Sequence, residues 1–221
     1  MASGDIDGDG DLDLLVGSYN ADRLDWFENC GGQFAIHVSQ PIRVVGQGTE
    51  AAVLRLTVAH RGRPDDGDLE LSKVGLRLEA SPGVALSSAE ANALIDTLRL
   101  YRDTNGNGYF DPTDTRVVSL ANLNPSTAIQ LSIPDDDLDA RVAAAASRGF
   151  FVVVQLTSNA AAQTPNTFRF SHLGTGSEGS GAEDATHDIA LVPSCPVDFA
   201  GATVVVAEET PEPLIFLDDF E

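Results

Sequence analysis

Hydrophobic and polar residues alternate along most of the chain, in short segments separated by turn-forming residues. In segment 51–59, Leu54, Leu56 and Val58 occupy every second position, which is the pattern of a half-buried strand. The nearly continuous β-branched and aromatic run 150–157 predicts a strand at the centre of a sheet. Further strands are predicted at 74–78, 98–101, 116–120, 128–133, 167–172, 188–192 and 202–207. Strands of this length and spacing predict an antiparallel β-sandwich over residues 41–210.

Two segments depart from the strand pattern and favour helix. Ser87 or Ser88 provides a cap, Glu90 lies in the first turn and Leu94 follows at helical spacing. The alanine-rich segment 139–147 favours a second short helix. The predicted fold is therefore mostly β, with one or two short helices.

Residues 1–40 form a unit of their own in this prediction. Three strand candidates, 12–16, 23–29 and 33–38, are separated by turns rich in Asn, Asp and Gly. They predict a partial, propeller-like blade that precedes the sandwich. A polar tail, 211–221, follows the sandwich.

An acidic loop opens the chain, with aspartates at every second position. Asp side chains at loop positions 1, 3 and 5 point inward from a tight turn, glycine at position 6 allows the reversal, and position 7 offers a carbonyl oxygen. Six to eight such hard oxygen ligands describe a Ca²⁺ site. The candidate ligands in this loop are Asp5, Asp7, Asp9, Asp11 and Asp13.

A second loop, 103–114, repeats this ligand pattern with two amides in place of carboxylates. Its lower charge predicts weaker binding, with a dissociation constant of ~10⁻⁴–10⁻³ M for either loop. Turns rich in Asp, Asn and Gly also form without a metal, but two loops with matching patterns favour Ca²⁺. The candidate ligands here are Asp103, Asn105, Asn107, Tyr109 through its carbonyl, Asp111 and Asp114.

The composition restricts the partners. The chain has 221 residues, with 13 Lys and Arg against 34 Asp and Glu, a formal charge of −21. No basic surface is expected for nucleic acid or anionic lipid, and no apolar run reaches the roughly 20 residues that membrane insertion requires. The two cysteines, Cys30 and Cys195, form one disulfide or stay as free thiols, and the spacing does not decide between them.

The N-terminal residues carry a family resemblance. The run Asp5-x-Asp7-x-Asp9-Gly10-x-x-Asp13, followed by 14–17, 26–29 and Phe34, resembles an FG-GAP/VCBS-type repeat, the blade unit of integrin-like β-propellers. This resemblance implies a calcium loop at the aspartates named above. Because a propeller has 4–8 blades, one blade implies either a fragment of a longer protein or a stray C-terminal blade.

Two further resemblances concern the rest of the chain. Residues 97–118 resemble a dockerin- or EF-hand-like calcium loop entered from a strand, and 43–206 are similar to β-sandwich modules of bacterial secreted or surface proteins. The tail 215–221 is similar to a short ending of exported proteobacterial proteins. The start of the chain has no basic or apolar leader. Either the export signal lies outside this chain or the protein stays inside the cell. The abrupt start within an acidic loop favours the first alternative, with an extracellular or cell-surface location.

Catalytic patterns are weak. The four histidines show no metal-ligating spacing and no serine lies in a G-x-S-x-G elbow. Glu183, Asp184 and Asp188 are candidates for paired carboxylates or a third cation site, although a solvated loop is the simpler interpretation. Trp26 and Tyr101 are expected in buried positions rather than on a sugar-binding surface.

The sequence thus predicts a non-enzymatic, calcium-binding structural or adhesion module, with a cell-surface protein or glycan as its partner. The alternative is a calcium-dependent carbohydrate-binding or enzyme-accessory module. An exposed aromatic side chain beside a calcium site would favour that alternative.

Overall fold

The computed structural model describes residues 1–4, 6, 13–18, 23–27, 32–63 and 65–208. Within these ranges the chain is mostly β, which confirms the predicted fold class. In chain order the strands are β1 (Ala2–Gly4), β2 (Asp13–Ser18), β3 (Arg23–Phe27), β4 (Phe34–Ser39), β5 (Val44–Gly46), β6 (Glu50–His60), β7 (Leu69–Ser81), β8 (Val84–Ala85), β9 (Ile95–Arg102), β10 (Thr115–Ala121), β11 (Ile129–Ser132), β12 (Arg141–Val142), β13 (Ser147–Leu156), β14 (Thr167–Leu173), β15 (Gly181–Asp184), β16 (Phe199–Ala200) and β17 (Val204–Ala207).

A small antiparallel sheet, β1-β2-β3, is formed by the N-terminal strands. Its register places Leu14 opposite Phe27 and Leu15 opposite Trp26. Trp26 is 48% exposed and Phe27 is also exposed. The expectation that Trp26 is buried is therefore wrong in this structure.

A five-stranded antiparallel sheet has the order β10-β9-β13-β6-β4. Strand β13 lies at its centre, as the continuous apolar run 150–157 predicted, and all residues from Phe150 to Val154 are buried. A central strand needs apolar residues on both sides when both faces of the sheet are covered. Here one face packs on the main core, and the other carries a small second cluster around Phe151.

The second large sheet is built on the long strand β7. Its path is β11-β7-β14-β17-β5, and β8, β12 and β15 also pair with β7, while β16 pairs with β14. The pairs are antiparallel except for β17 with β5. Buried residues of both large sheets, such as Leu56 and Phe150 on one and Leu76 and Phe170 on the other, belong to one continuous core. The two sheets thus share their apolar faces as the layers of a sandwich do.

The predicted first helix is confirmed as α1 (Ser88–Leu94). Ser87 is its cap: the Ser87 Oγ accepts a bond from the Glu90 N–H, and the Glu90 carboxylate accepts one from the Ser87 N–H. This reciprocal pair stabilises the first turn. The helix ends where Ile95 enters β9.

The second predicted helix, 139–147, is wrong. A 3-10 turn, Leu138–Ala140, leads directly into β12, and Ala145 has a positive φ of 54°. Arg141 is held in the sheet opposite Glu70, and its Nε donates to the buried Glu70 carboxylate at 3.2 Å. Tertiary pairing thus overrides the helix propensity of the alanines.

The predicted strand 188–192 does not form either. Ala190 makes an isolated bridge to Glu183, and Asp188 has a φ of 54°, which interrupts extended structure. The strand in this region lies earlier, at β15.

The third strand predicted for the N-terminal unit exists as β4, but it pairs with β6 and not with β3. Phe34 and Ala35 are buried there. Alternating residues at 33–38 fit any exposed sheet edge, and β6, with 11 residues, offers a long one. The pairing places this strand in the larger sheet, and the boundary at residue 40 stays a prediction.

Of the two cysteines, Cys195 is disulfide-bonded. The other cysteine of the chain, Cys30, lies outside the described residues. In the described ranges, no helix is long and apolar enough to span a bilayer.

Candidate metal centre

The second predicted calcium loop, 103–114, connects the neighbouring strands β9 and β10. It starts from a fixed point, because the Asp103 N–H donates to the Gly149 carbonyl of β13 at 2.9 Å. The loop therefore projects from the end of a buried sheet and not from a flexible linker.

The first half of the loop is wound by side chains that accept from the backbone. Asp103 Oδ2 accepts from the Gly108 N–H at 3.0 Å, Asn105 Oδ1 from the Asn107 N–H at 2.9 Å, and Asn107 Oδ1 from the Tyr109 N–H at 2.7 Å. Positive φ values at Gly106 and Gly108, 69° and 80°, permit the reversal. The residues at positions 1, 3 and 5 are thus turned toward the inside of the loop.

The second half of the loop holds two more carboxylates. Asp111 accepts from the Asn105 and Asn107 side-chain amides at 3.0 and 2.7 Å, and from Thr113. These bonds, the Thr113 hydroxyl first, hold the pKa of Asp111 well below its usual value. Asp114 accepts from the Thr104 N–H at 3.1 Å and from the Asp111 N–H at 2.9 Å.

One buried side-chain oxygen in the loop has no hydrogen-bond partner among the described residues. Asp103 is only 5% exposed, and its Oδ1 is buried without a hydrogen bond in the described part of the chain. An unpaired buried carboxylate oxygen is costly. A hard cation would satisfy it, so the residues present fit a calcium ion.

The carboxylates are not yet gathered around one point. In the described ranges, the group of three or more acidic, histidine or cysteine ligand atoms within 4.8 Å of one another is Glu70, Asp135 and Glu183. The carboxylate oxygens of Asp103, Asp111 and Asp114 are therefore not all within 4.8 Å of one another. The oxygens of Asp111 and Asp114 instead accept hydrogen bonds from within the loop.

An aromatic contact anchors the loop to the sheet. The Phe110 ring lies 5.0 Å from the ring of Tyr101 and 6.1 Å from that of Phe151, both edge to face. These rings cover the small apolar cluster on the outer face of the five-stranded sheet. Position 8 of the loop is thus structural, and the ligand positions on either side of it are fixed relative to β9 and β13.

Two residues outside the loop shape the site, and the sequence analysis missed both. A Cβ at Gly149 would lie 3.0 Å from the Cβ and Oδ2 of Asp103. From β6, the Arg55 Nη2 approaches the Asp103 Oδ2 to 3.8 Å. Both belong to strands far from the loop in sequence, so only the pairing of β13 with β6 and β9 could have found them.

The first predicted loop is described only at its end. Asp5, Asp7, Asp9 and Asp11 lie outside the described residues. Asp13 starts β2, is buried, and its Oδ2 accepts from the Ile6 N–H at 3.0 Å. Calcium at this loop stays a prediction.

The third acidic group differs from the predicted one. Glu183 lies with Glu70 and Asp135, and burial together with these neighbours raises its pKa. Asp184 instead accepts from the Thr186 and His187 N–H groups and closes a turn. Glu70 is already bonded to Arg141 and to the Asp137 N–H.

Comparison with known proteins gives a family match at the N-terminal end of the chain and matches to solved structures. Residues 1–38 match the FG-GAP repeat family. No curated protein matches the chain. Among solved structures, AvmM, which catalyses macrocyclization in alchivemycin A biosynthesis, aligns with a TM-score of 0.37 at 14% identity and covers 82% of this chain and 92% of that chain. The N-terminal blade resemblance is thus confirmed over residues 1–38.

Proposed function

We propose that the chain is a non-enzymatic, calcium-stabilised structural or adhesion module of a bacterial secreted or surface protein. The observation that carries the proposal is the buried, unpartnered Asp103 Oδ1, which lies in a loop whose side chains at positions 1, 3 and 5 turn inward. Asp103, Asn105, Asn107, Asp111, Asp114 and the Tyr109 carbonyl would hold the ion.

The ion would supply positive charge between carboxylates that otherwise repel one another. An ion that binds only the folded state stabilises it by RT ln(1 + [L]/Kd), which is about 1.4 kcal/mol at ten times Kd. That is an appreciable share of a typical stability of roughly 5–15 kcal/mol. The chain's own residues hold the connection between β9 and β10, and the stability of this connection would depend on bound calcium.

An extracellular location is consistent with two observations. FG-GAP repeats occur in extracellular proteins, and residues 1–38 match that family. Cys195 is disulfide-bonded, and disulfides persist mainly in oxidising compartments. Millimolar calcium is available outside the cell, where a weak site is still filled.

Thermal unfolding with and without calcium tests the proposal. We expect EDTA to lower the Tm of the wild-type chain and calcium to restore it, and we expect Asp103→Asn to abolish part of this response. Asp96→Asn is the matched control, since Asp96 is an exposed residue of β9 outside the loop and loses the same charge. A wild-type Tm that is the same in EDTA and in calcium would contradict the proposal.

A carbohydrate-binding role is the second candidate. Tyr109 is 77% exposed although it belongs to the loop, and exposed aromatic rings beside calcium sites suit sugar recognition. Glycan-array binding that is lost with EDTA and with Tyr109→Ala would support this role. Binding that survives both changes would contradict it.

A further inference from the structure

We infer that Arg55 opposes calcium at the loop 103–114 and thereby sets its affinity low. This inference rests on the proposed function, because it concerns the strength of the same site. It adds a residue from strand β6 that none of the ligand positions predicts.

The guanidinium of Arg55 lies beside the first ligand position of the loop. Arg55 Nη2 lies 3.8 Å from the Asp103 Oδ2, and Asp103 is the one carboxylate within 4.0 Å of Arg55 in the described chain. Two other arginines on the same sheet have partners outside the loop: Arg99 pairs with Glu50 and Arg102 with Asp139. The charge of Arg55 is thus directed at the first ligand of the site.

The guanidinium also contacts the loop backbone at Gly108. A Cβ built on Gly108 would lie 3.1 Å from the Arg55 Nη2 and 3.2 Å from its Cζ. The guanidinium therefore packs against the Cα of Gly108, at the point where φ is 80°. Glycine at position 6 permits both the reversal of the loop and the approach of the arginine.

Arg55 brings charge close to Asp103 but does not hold its carboxylate in place. At 3.8 Å the Arg55–Asp103 contact is longer than a hydrogen bond. The Asp103 Oδ2 is held instead by the Gly108 N–H at 3.0 Å. Removal of Arg55 should therefore leave the ligand where it is and remove mainly a positive charge.

The charge balance gives the direction in which removal of Arg55 should change the calcium affinity. Asp103, Asp111 and Asp114 bring three negative charges, of which Arg55 offsets one before any ion binds. A divalent cation at Asp103 replaces this attraction and is itself repelled by the guanidinium. Without Arg55, calcium should bind about tenfold more tightly, equivalent to about 1.4 kcal/mol.

Calcium titration calorimetry on chelator-stripped protein tests the inference. The variants are Arg55→Gln and Arg55→Met, the second of which keeps an aliphatic stem against Gly108, so that a folding defect in one does not end the test. We expect both to bind about tenfold more tightly at the site that Asp103→Asn removes. Arg55→Lys, which keeps the charge, should stay near the wild-type value.

Arg99→Gln is the matched control, because it removes the same charge from the same sheet where the arginine is paired with Glu50. We expect its Kd to stay within twofold of wild type. The gain in calcium affinity of the Arg55 variants should also shrink as the salt concentration rises from about 0.05 to about 0.5 M, because salt screens the guanidinium charge. A purely structural effect of the substitutions would not depend on salt in this way.

The outcomes separate the two claims. An unchanged or weaker Kd in both Arg55→Gln and Arg55→Met, with binding still abolished by Asp103→Asn, overturns this inference and leaves the proposed function intact. No calcium uptake at this loop in the wild-type chain overturns both, since there is then no affinity to set.

Discussion

Acidification should destabilise the fold through one buried histidine, His172 on β14. The side chain is 1% exposed, and its Nε2 lies 2.8 Å from the Ser180 Oγ, which accepts from the Gly75 N–H at 3.0 Å. Its Nδ1 is buried without a hydrogen bond in the described chain. Burial lowers the pKa of His172 to about 4, against a smaller opposite effect of Asp198.

The sign follows from the lowered pKa. Between pH 6.5 and 4 the unfolded chain binds a proton at this residue and the folded chain does not, so stability is complete above this window and is lost as the pH falls through it. With those two pKa values the loss is about 2 kcal/mol between pH 7 and pH 5, and about 3 kcal/mol by pH 4. Both figures are large fractions of a typical stability.

Urea unfolding in EDTA-containing buffer, followed by far-ultraviolet circular dichroism, measures this loss. His172→Gln cannot take up the proton, so we expect its disadvantage relative to the wild-type chain to shrink by about 2 kcal/mol from pH 7 to pH 5. Taking the difference cancels the titration of the acidic surface. His37→Gln, a change at an exposed strand residue, is the control and should show no such convergence. A gap between His172→Gln and wild type that is the same at both pH values would refute the reasoning.

Three further substitutions test the scaffold of the loop and the helix. Gly149→Ala forces a Cβ against Asp103, so it should lower the free energy of unfolding by about 1–3 kcal/mol and weaken calcium binding in titrations. Gly4→Ala is the control, because a Cβ there meets nothing within 4 Å. Equal effects of the two substitutions would contradict the proposed crowding at Asp103. Phe110→Ala removes the two ring contacts and should cost about 1–3 kcal/mol in urea unfolding, whereas a neutral result would mean that the rings do not anchor the loop. Ser87→Ala should cost about 1 kcal/mol in thermal unfolding and leave calcium affinity unchanged, because it removes the helix cap only; a changed affinity would argue against this separation.

The strands and the first helix were predictable because their signals are local. Alternation at 51–59 and the apolar run at 150–157 each record burial by neighbouring layers, and β6 and β13 formed there. The cap at Ser87 with Glu90 three residues later is a complete signal within four residues. The order of candidate ligands in 103–114 is local as well, and Asp103, Asn105 and Asn107 accept hydrogen bonds from backbone N–H groups within the loop.

The failures have a common physical cause, which is pairing between distant segments. The alanines at 143–146 favour helix, but Arg141 is drawn to Glu70 across the sheet. The alternation at 33–38 indicates that one face is buried but not which strand lies beside it, so the pairing of β4 with β6 could not be predicted from it. Gly149 and Arg55 could not be identified beside the loop for the same reason, because their roles depend on the order β9-β13-β6.

Calcium uptake by chelator-stripped protein is the most direct measurement. Equilibrium dialysis over a calcium series should give saturable uptake of two ions per chain, one for each loop, with dissociation constants of ~10⁻⁴–10⁻³ M. Asp103→Asn should reduce the uptake to one ion, while Asp96→Asn should leave it at two. A wild-type chain that takes up no calcium at millimolar concentrations would contradict the assignment of both loops.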